Sequence, residues 1–250
     1  MVERDRVALV TGTSSGIGAA IADRLVRTRW VVIGLARRPA ALESPHYEHF
    51  EVDLSDLPAL GAIAEERLEP LLSDTRWQRV GLVNNAAAPG ALSALENADP
   101  LRLAAVNAVA PIFLMGFMTR VVLSPTWLRI ANISSGAAVQ AVPGLGDYGS
   151  SKAALRLAGM VLRTGFDSGD AAGGRRRNAA VLSYDPASWT RECRNWRGRG
   201  LARSFLRTRC SQDFAAQGLL QAPEAVIGKV IEFLVGNSRE SFLEVRGHSL

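Results

Sequence analysis

Tyr148 and Lys152 stand four residues apart in Tyr148-Gly149-Ser150-Ser151-Lys152, at the head of an apolar stretch that runs on to Leu162. On a helix, residues i and i+4 share a face, so the ammonium lies beside the phenol. A free tyrosine gives up its proton only near pH about 10, and a neighbouring cation favours the phenolate. The pair is therefore a candidate general acid/base for neutral pH. Alone it is also what chance spacing on a helix produces. A second signal lies near the N-terminus. The apolar run Val7-Ala8-Leu9-Val10 leads into Thr11-Gly12-Thr13-Ser14-Ser15-Gly16-Ile17-Gly18, followed by the helical pattern Ala19, Ala20, Ile21, Leu25, Val26. A strand, a glycine-rich turn and a helix N-terminus together present backbone N–H groups to a phosphate. The glycines permit the tight turn and the close approach of a pyrophosphate.

Stepping outward from these motifs, the chain alternates strands and helices. Strands are predicted at about 6–11, Val31–Leu35, Tyr47–Val52, Val80–Val83, Leu128–Ile133, Ala179–Ser183 and Phe242–Val245. Helices are predicted at about 16–28, at 57–69 with Ser55 as cap and Asp56 at its positive end, and from Asp99-Pro100 to about Arg120. The Tyr148 helix and a helix over Ala225–Val235 follow. Repeated βα units imply a Rossmann-type, doubly wound parallel sheet covered on both faces, and 250 residues suit one α/β domain spanning 1–250. Ligands in such sheets bind beyond the carboxyl ends of the strands, where the motifs fall.

With its motifs in order, the chain resembles the short-chain dehydrogenase/reductases over about 6–160 and again over about 212–246. The resemblance rests on Thr11-Gly12-x-x-x-Gly16-Ile17-Gly18, Asn84-Asn85-Ala86 after Gly81-Leu82-Val83, Asn107 in Val106-Asn107-Ala108, Ser135 in Asn132-Ile133-Ser134-Ser135, and Tyr148 with Lys152. Within the family the chain is most similar to the benzil reductase and sepiapterin reductase type, on Ala36-Arg37-Arg38, Ile133-Ser134-Ser135-Gly136-Ala137 and Gln217-Gly218-Leu219-Leu220-Gln221-Ala222-Pro223-Glu224. The resemblance implies a catalytic set of Ser135, Tyr148, Lys152 and Asn107. Ser135 would hold a carbonyl oxygen on which charge develops, Tyr148 would give it a proton, and Lys152 would also hold the nicotinamide ribose. Asn107 would position a water that reconnects Lys152 to solvent. The implied cofactor contacts are Gly12, Ser14, Ser15, Gly16, Ile17, Gly18, Arg37, Arg38, Asp53, Leu54, Asn85, Ala86, Tyr148 and Lys152, with Asp53 on the adenine. Ala87 stands where the family usually has glycine.

Charge speaks to the cofactor. An acid at the end of strand two would accept hydrogen bonds from the ribose of NAD and repel a 2′-phosphate. Here that place reads Leu35-Ala36-Arg37-Arg38, and arginine suits phosphate. NADP(H) is expected. The candidate substrate wall, Ala137, Ala138, Val139, Val142, Pro143, Leu145 and Pro89, is small and apolar. It suits a small neutral ketone, diketone or pterin-like carbonyl. No metal is expected: Cys193 and Cys210 lack ligand spacing, and with two cysteines a reducing cytoplasm is the simplest compartment. No run of eighteen apolar residues and no signal peptide is evident, so neither a membrane partner nor export is expected, while a homo-oligomer (dimer or tetramer) is.

Two other functions match parts of the sequence. Gly12-Thr13-Ser14-Ser15-Gly16 also fits a nucleophile elbow, but His46 and His49 come too early for a hydrolase and His248 lies in the tail. The pI of about 9.8 suggests nucleic acid. Yet residues 175–209 hold ten Arg against Asp185 and Glu192, a local +8 that leaves −3 elsewhere, so no nucleic-acid partner is expected. A catalytically impaired member that binds NADP(H) is the remaining alternative.

That basic window is where the resemblance stops. The family expects Pro-Gly and then a threonine; this chain has Pro186-Ala187-Ser188-Trp189-Thr190-Arg191. Residues 187–211 show neither helical nor strand periodicity. Back-translating Ala187–Trp196 with permitted codons and reading from the third base gives Glu-Leu-Asp-Thr-Gly-Met-Gln-Glu-Leu, the family's substrate-loop pattern. The window reads as an atypical, frame-shifted lid; the other reading is a divergent arginine-rich lid. Arg163–Arg177 is a second stretch of the same character.

Overall fold

A computed structural model describes residues 4–90, 95, 99–142, 144–168, 178–186, 222–237 and 242–246. The expected window 187–211 lies outside these, as do Pro143 and residues 169–177.

Among the described residues seven strands form one sheet: β1 Arg6–Thr11, β2 Val31–Ala36, β3 Tyr47–Glu51, β4 Arg79–Asn84, β5 Trp127–Ile133, β6 Ala179–Asp185 and β7 Phe242–Arg246. Their order is β3-β2-β1-β4-β5-β6-β7 and every pairing is parallel. This is the doubly wound, single-domain α/β fold expected. The period-2 alternation of the strands builds two cores. Val7, Leu9, Ile33, Leu35, Leu82 and Ile130 point to one face, while Ala8, Val10, Val32, Val83 and Ala131 point to the other. The second face is covered by α1 (Gly16–Arg27), through Ile17, Ile21 and Leu25, and by a C-terminal helix.

The helices depart from expectation in ways a periodic pattern does not reveal. α2 (Leu57–Ile63) and α3 (Glu69–Leu72) are joined by a π-helical turn, Ala64–Leu68. Asp56, not Ser55, is the N-cap of α2, accepting from Ala59 N at 3.0 Å. Ser55 bonds back to Asp53 instead, through its N–H at 2.9 Å and its hydroxyl at 2.7 Å. Asp99 does cap the next helix as expected, accepting from Arg102 N at 3.0 Å with Pro100 in the first turn. That helix is α4 (Pro100–Ala104), a π turn over Ala105–Val109, and α5 (Ala110–Val121). Its length and composition would suffice to cross a membrane, and 56% of its apolar window is buried inside the protein. α6 (Gly146–Ser168) continues past Arg163, so the first part of the Arg163–Arg177 stretch is regular helix. The last helix is two, α7 (Pro223–Val226) and α8 (Gly228–Val235), broken at Ile227.

Beneath the sheet two arginines are buried. Arg129 (1% exposed) donates to the carbonyls of Leu128, Asn178 and Gly236, and Arg79 to those of Leu234 and Gly236. Both guanidinia lie over the Trp127 ring, at 4.6 and 5.2 Å. They hold the negative end of α8, the favourable place for a cation. Burial, and then the neighbouring Arg79, push the Arg129 guanidinium down to about 10, still charged at neutral pH.

Candidate active site

The glycine-rich turn lies between β1 and α1, at the carboxyl end of the sheet. Gly12 and Gly16 have φ of 75° and 65°, the left-handed region that a side chain disfavours. A Cβ at Gly18 would collide with the Gly12 carbonyl and the Asn85 amide. Ser15 caps α1 with its backbone alone, making no side-chain cap hydrogen bond, and no acid stands in the first turn. The opening N–H groups of α1 and this close-packed turn therefore fit a dinucleotide pyrophosphate. Gly12, Ser14, Ser15, Gly16, Ile17 and Gly18 make up this turn and the start of α1, with Ile17 buried in the core.

Thr11 is the residue that sequence reasoning passed over. Its hydroxyl accepts the N–H groups of Asn85 and Ala86, at 2.9 and 3.0 Å. The Asn85 amide in turn donates to Thr11 O at 2.9 Å. One hydroxyl and one amide thus join the ends of β1 and β4, and a Cβ at Gly12 would meet Asn85 Nδ2 at 2.8 Å. A threonine closing a strand is ordinary in sequence, so only the register Val10↔Val83 reveals its role.

The catalytic candidates lie around the ends of β4 and β5. Tyr148 and Lys152 are 6% and 2% exposed on the buried face of α6, with Lys152 Nζ 5.7 Å from the Tyr148 ring centroid. Lys152 Nζ donates to Ile133 O at 2.8 Å, which ties α6 to the last residue of β5. Ser135 follows two residues later, partly buried, its hydroxyl accepting from Ala137 N at 3.3 Å at the start of a 3₁₀ turn. Asn107 is fully buried in the π turn, an irregularity that recurs at functional sites. Its Oδ1 accepts from Ala88 N at 2.7 Å, and its Nδ2 donates to Ala88 O at 3.0 Å and Ser151 Oγ at 3.1 Å. The Asn107 side chain is thus a brace between the loop after β4 and α6. Any water would have to meet the remaining Oδ1 lone pair or the backbone.

At the end of β2, Arg37 and Arg38 are exposed. Asp53 accepts from Ser55 and from Arg102, whose Nη2 stands 3.2 Å from Asp53 Oδ2; Arg37 is 3.8 Å from the same oxygen. Burial raises the Asp53 carboxyl, but the Ser55 hydrogen bonds, Arg102 and Arg37 outweigh it and hold it below its ordinary value. Leu54 is buried in the core. Arg102 was not anticipated; nothing in its spacing marks it.

Beside Ser135 a small cleft is lined by Ser134, Gly136, Val139, Ser183, Asp185, Glu244 and Val245. Of the apolar wall named from the sequence, Val139 lines this cleft. Ser183 and Asp185 come from β6 and Glu244 from β7, whose carboxyl ends the parallel register brings alongside β5. Glu244 is engaged by Arg156 of α6 through two contacts of 2.8 Å. Among the described residues no group of His, Cys, Asp or Glu could hold a metal ion.

The doubly wound sheet with a glycine-rich turn at its switch point is the architecture of dinucleotide-binding domains. The chain belongs to the short chain dehydrogenases, whose family model matches residues 6–166. Among curated proteins it is 27% identical over 237 residues to a benzil reductase ((S)-benzoin forming) of Bacillus subtilis, covering 90% of this chain and 92% of that one. It is 34% identical over 157 residues to an L-xylulose reductase of Caenorhabditis elegans, covering 61% and 62%. Among solved structures, the angucycline C-6 ketoreductase LanV with bound NADP superposes with a TM-score of 0.71 at 23% identity, covering 97% of this chain and 94% of that one.

Proposed function

We propose that the chain is an NADPH-dependent carbonyl reductase acting on a neutral ketone, diketone or pterin-like carbonyl. The observation that carries this reading is the Tyr148–Lys152 pair, buried on one face of α6 and tied by Lys152 to the strand that leads to Ser135. When bound, the dihydronicotinamide supplies a hydride to the carbonyl carbon. The Ser135 hydroxyl donates to the carbonyl oxygen as charge gathers there. The Tyr148 phenol protonates that oxygen, and the Lys152 ammonium favours the resulting phenolate and holds the ribose. Gly12 to Gly18 would hold the pyrophosphate, and Arg37 and Arg38 the 2′-phosphate. Kinship with a benzil reductase supports the diketone; the Asp185 carboxylate lining the cleft favours carbonyls without a negative charge. The test is NADPH oxidation over a panel of aromatic diketones, simple ketones and pterins. Turnover of none of them sinks the proposal.

The cofactor preference gives a prediction. Fluorescence titration shows NADPH binding at least about tenfold more tightly than NADH, as expected for a charge-assisted phosphate contact. Arg37→Ala with Arg38→Ala removes most of that difference and leaves NADH nearly unaffected. Equal affinities in the unaltered protein overturn the NADP(H) assignment.

A second reading is an NADP(H)-binding member impaired by residues 187–211. It is favoured by the end of the family match at residue 166 and by relatives that match over only 61% of the chain. Recoding the segment so that Pro186 is followed by Gly-Glu-Leu-Asp-Thr-Gly-Met-Gln raises reductase activity and thermal stability together. A recoded protein no more active than the original rejects the frame-shift account.

A second copy of the chain is also proposed as partner. Val109, Ile112 and Phe113 of the long helix and Leu157, Met160 and Val161 of α6 are exposed apolar side chains. Light scattering after gel filtration shows a dimer or tetramer, and Phe113→Asp with Val161→Asp shifts it towards monomer. A monomer before substitution refutes the point. The same proposal places the enzyme in the cytoplasm, with neither membrane nor nucleic acid as partner.

A further inference from the structure

Arg37 and Arg38 do not account for all the charge at the adenosine end. Two guanidinia converge on one oxygen of Asp53: Arg102 Nη2 at 3.2 Å and Arg37 Nη1 at 3.8 Å from Oδ2. They are not equivalent. Arg102 is the inner cation, its side chain 29% exposed, and its Nη1 also donates to Ser55 Oγ at 2.7 Å and reaches Asp53 Oδ2 at 3.3 Å. Arg37 is the outer one, 63% exposed on a single long contact. Ser55 fixes the other carboxylate oxygen, Oδ1, from below. The backbone of Arg102 is pinned in turn, because its N–H is the one that Asp99 caps. A cation in the first turn of a helix runs against the helix dipole, so this position is unfavourable unless an acid offsets it.

We propose that Arg102 is a specificity-positioning residue for the cofactor: it neutralises Asp53 and so frees Arg37 to take the 2′-phosphate. This rests on the NADP(H) reading of the site. The physical argument is one of competition. A bare carboxylate this close to Arg37 lies well inside the screening length of about 8 Å. It would repel a phosphate and hold Arg37 as its own counter-ion. With Arg102 already on Asp53, the carboxylate loses little when Arg37 turns away. Because Arg102 reaches the phosphate only through Asp53, replacing Asp53 by a neutral residue makes Arg102 dispensable.

The experiment measures binding of NADPH, NADH and 2′,5′-ADP by calorimetry, without turnover. Arg102→Gln weakens NADPH and 2′,5′-ADP by up to about fivefold and changes NADH little, so the NADPH/NADH ratio falls. Asp53→Asn in the Arg102→Gln background restores the ratio, an outcome that a purely structural role for Arg102 does not give. Arg102→Lys, which keeps the charge, retains most of the preference and serves if Arg102→Gln folds poorly. An Arg102→Gln protein with an unchanged ratio, or a ratio that Asp53→Asn fails to restore, overturns the inference. Absence of any NADPH preference in the unaltered protein is a different result. It removes the cofactor reading itself, and the inference with it.

Discussion

Tyr148→Phe leaves a protein that binds NADPH nearly as well as before and turns over carbonyl substrate about 10²- to 10⁴-fold more slowly, the range for a lost general acid. The phenol is buried, and its ring survives the change, so the core around α6 is kept and only the transferable proton is removed. Lys152→Ala behaves differently. Its ammonium donates to Ile133 O at 2.8 Å, so its loss slows turnover, weakens NADPH and lowers thermal stability. The distinguishing measurement is kcat beside the NADPH dissociation constant. Substantial reductase activity in Tyr148→Phe would show that the acid has been wrongly assigned.

The second large effect falls on a glycine. Gly18→Ala puts a methyl group against the Gly12 carbonyl and the Asn85 amide, neither of which can yield without moving the turn. Overpacking of this kind costs about 1–3 kcal/mol. Because the displaced atoms are those that shape the phosphate turn, cofactor affinity falls along with stability. Gly61→Ala is the contrast: it lies inside α2, a Cβ there meets nothing within 4 Å, and alanine stabilises a helix interior by about 1 kcal/mol. Melting curves with and without NADPH check both. If Gly18→Ala melts and binds like the unaltered protein, the packing argument for this turn fails.

Much of this was legible in the sequence because the signals were local and redundant. β1, the glycine turn and α1 carry strand period, left-handed glycines and helical period within about twenty residues, and each confirms the next. Tyr148 and Lys152 needed only the helix spacing to be placed side by side. What escaped was set by register and tertiary contact. Thr11 matters because β4 pairs beside β1. Arg102 matters because α4 starts near the end of β3, more than forty residues away in sequence. Asn107 was flagged, yet its two-sided brace to Ala88 and Ser151 depends on a π turn that residue types do not encode. Ser183, Asp185 and Glu244 carry no local signal, and only the register of β5, β6 and β7 sets them beside Ser135.

Arg79 and Arg129 also set an order of events. Arg79 finds Leu234, Gly236 and Asn237 at separations of 155, 157 and 158 residues, and Arg129 finds Gly236 at 107. During synthesis β4 and β5 emerge long before α8, and contacts so distant in sequence form slowly. Until α8 docks, these two central strands carry a pair of like charges with no helix end to receive them. The centre of the sheet is therefore completed only when α8 docks, more than a hundred residues after β4 and β5 have been made.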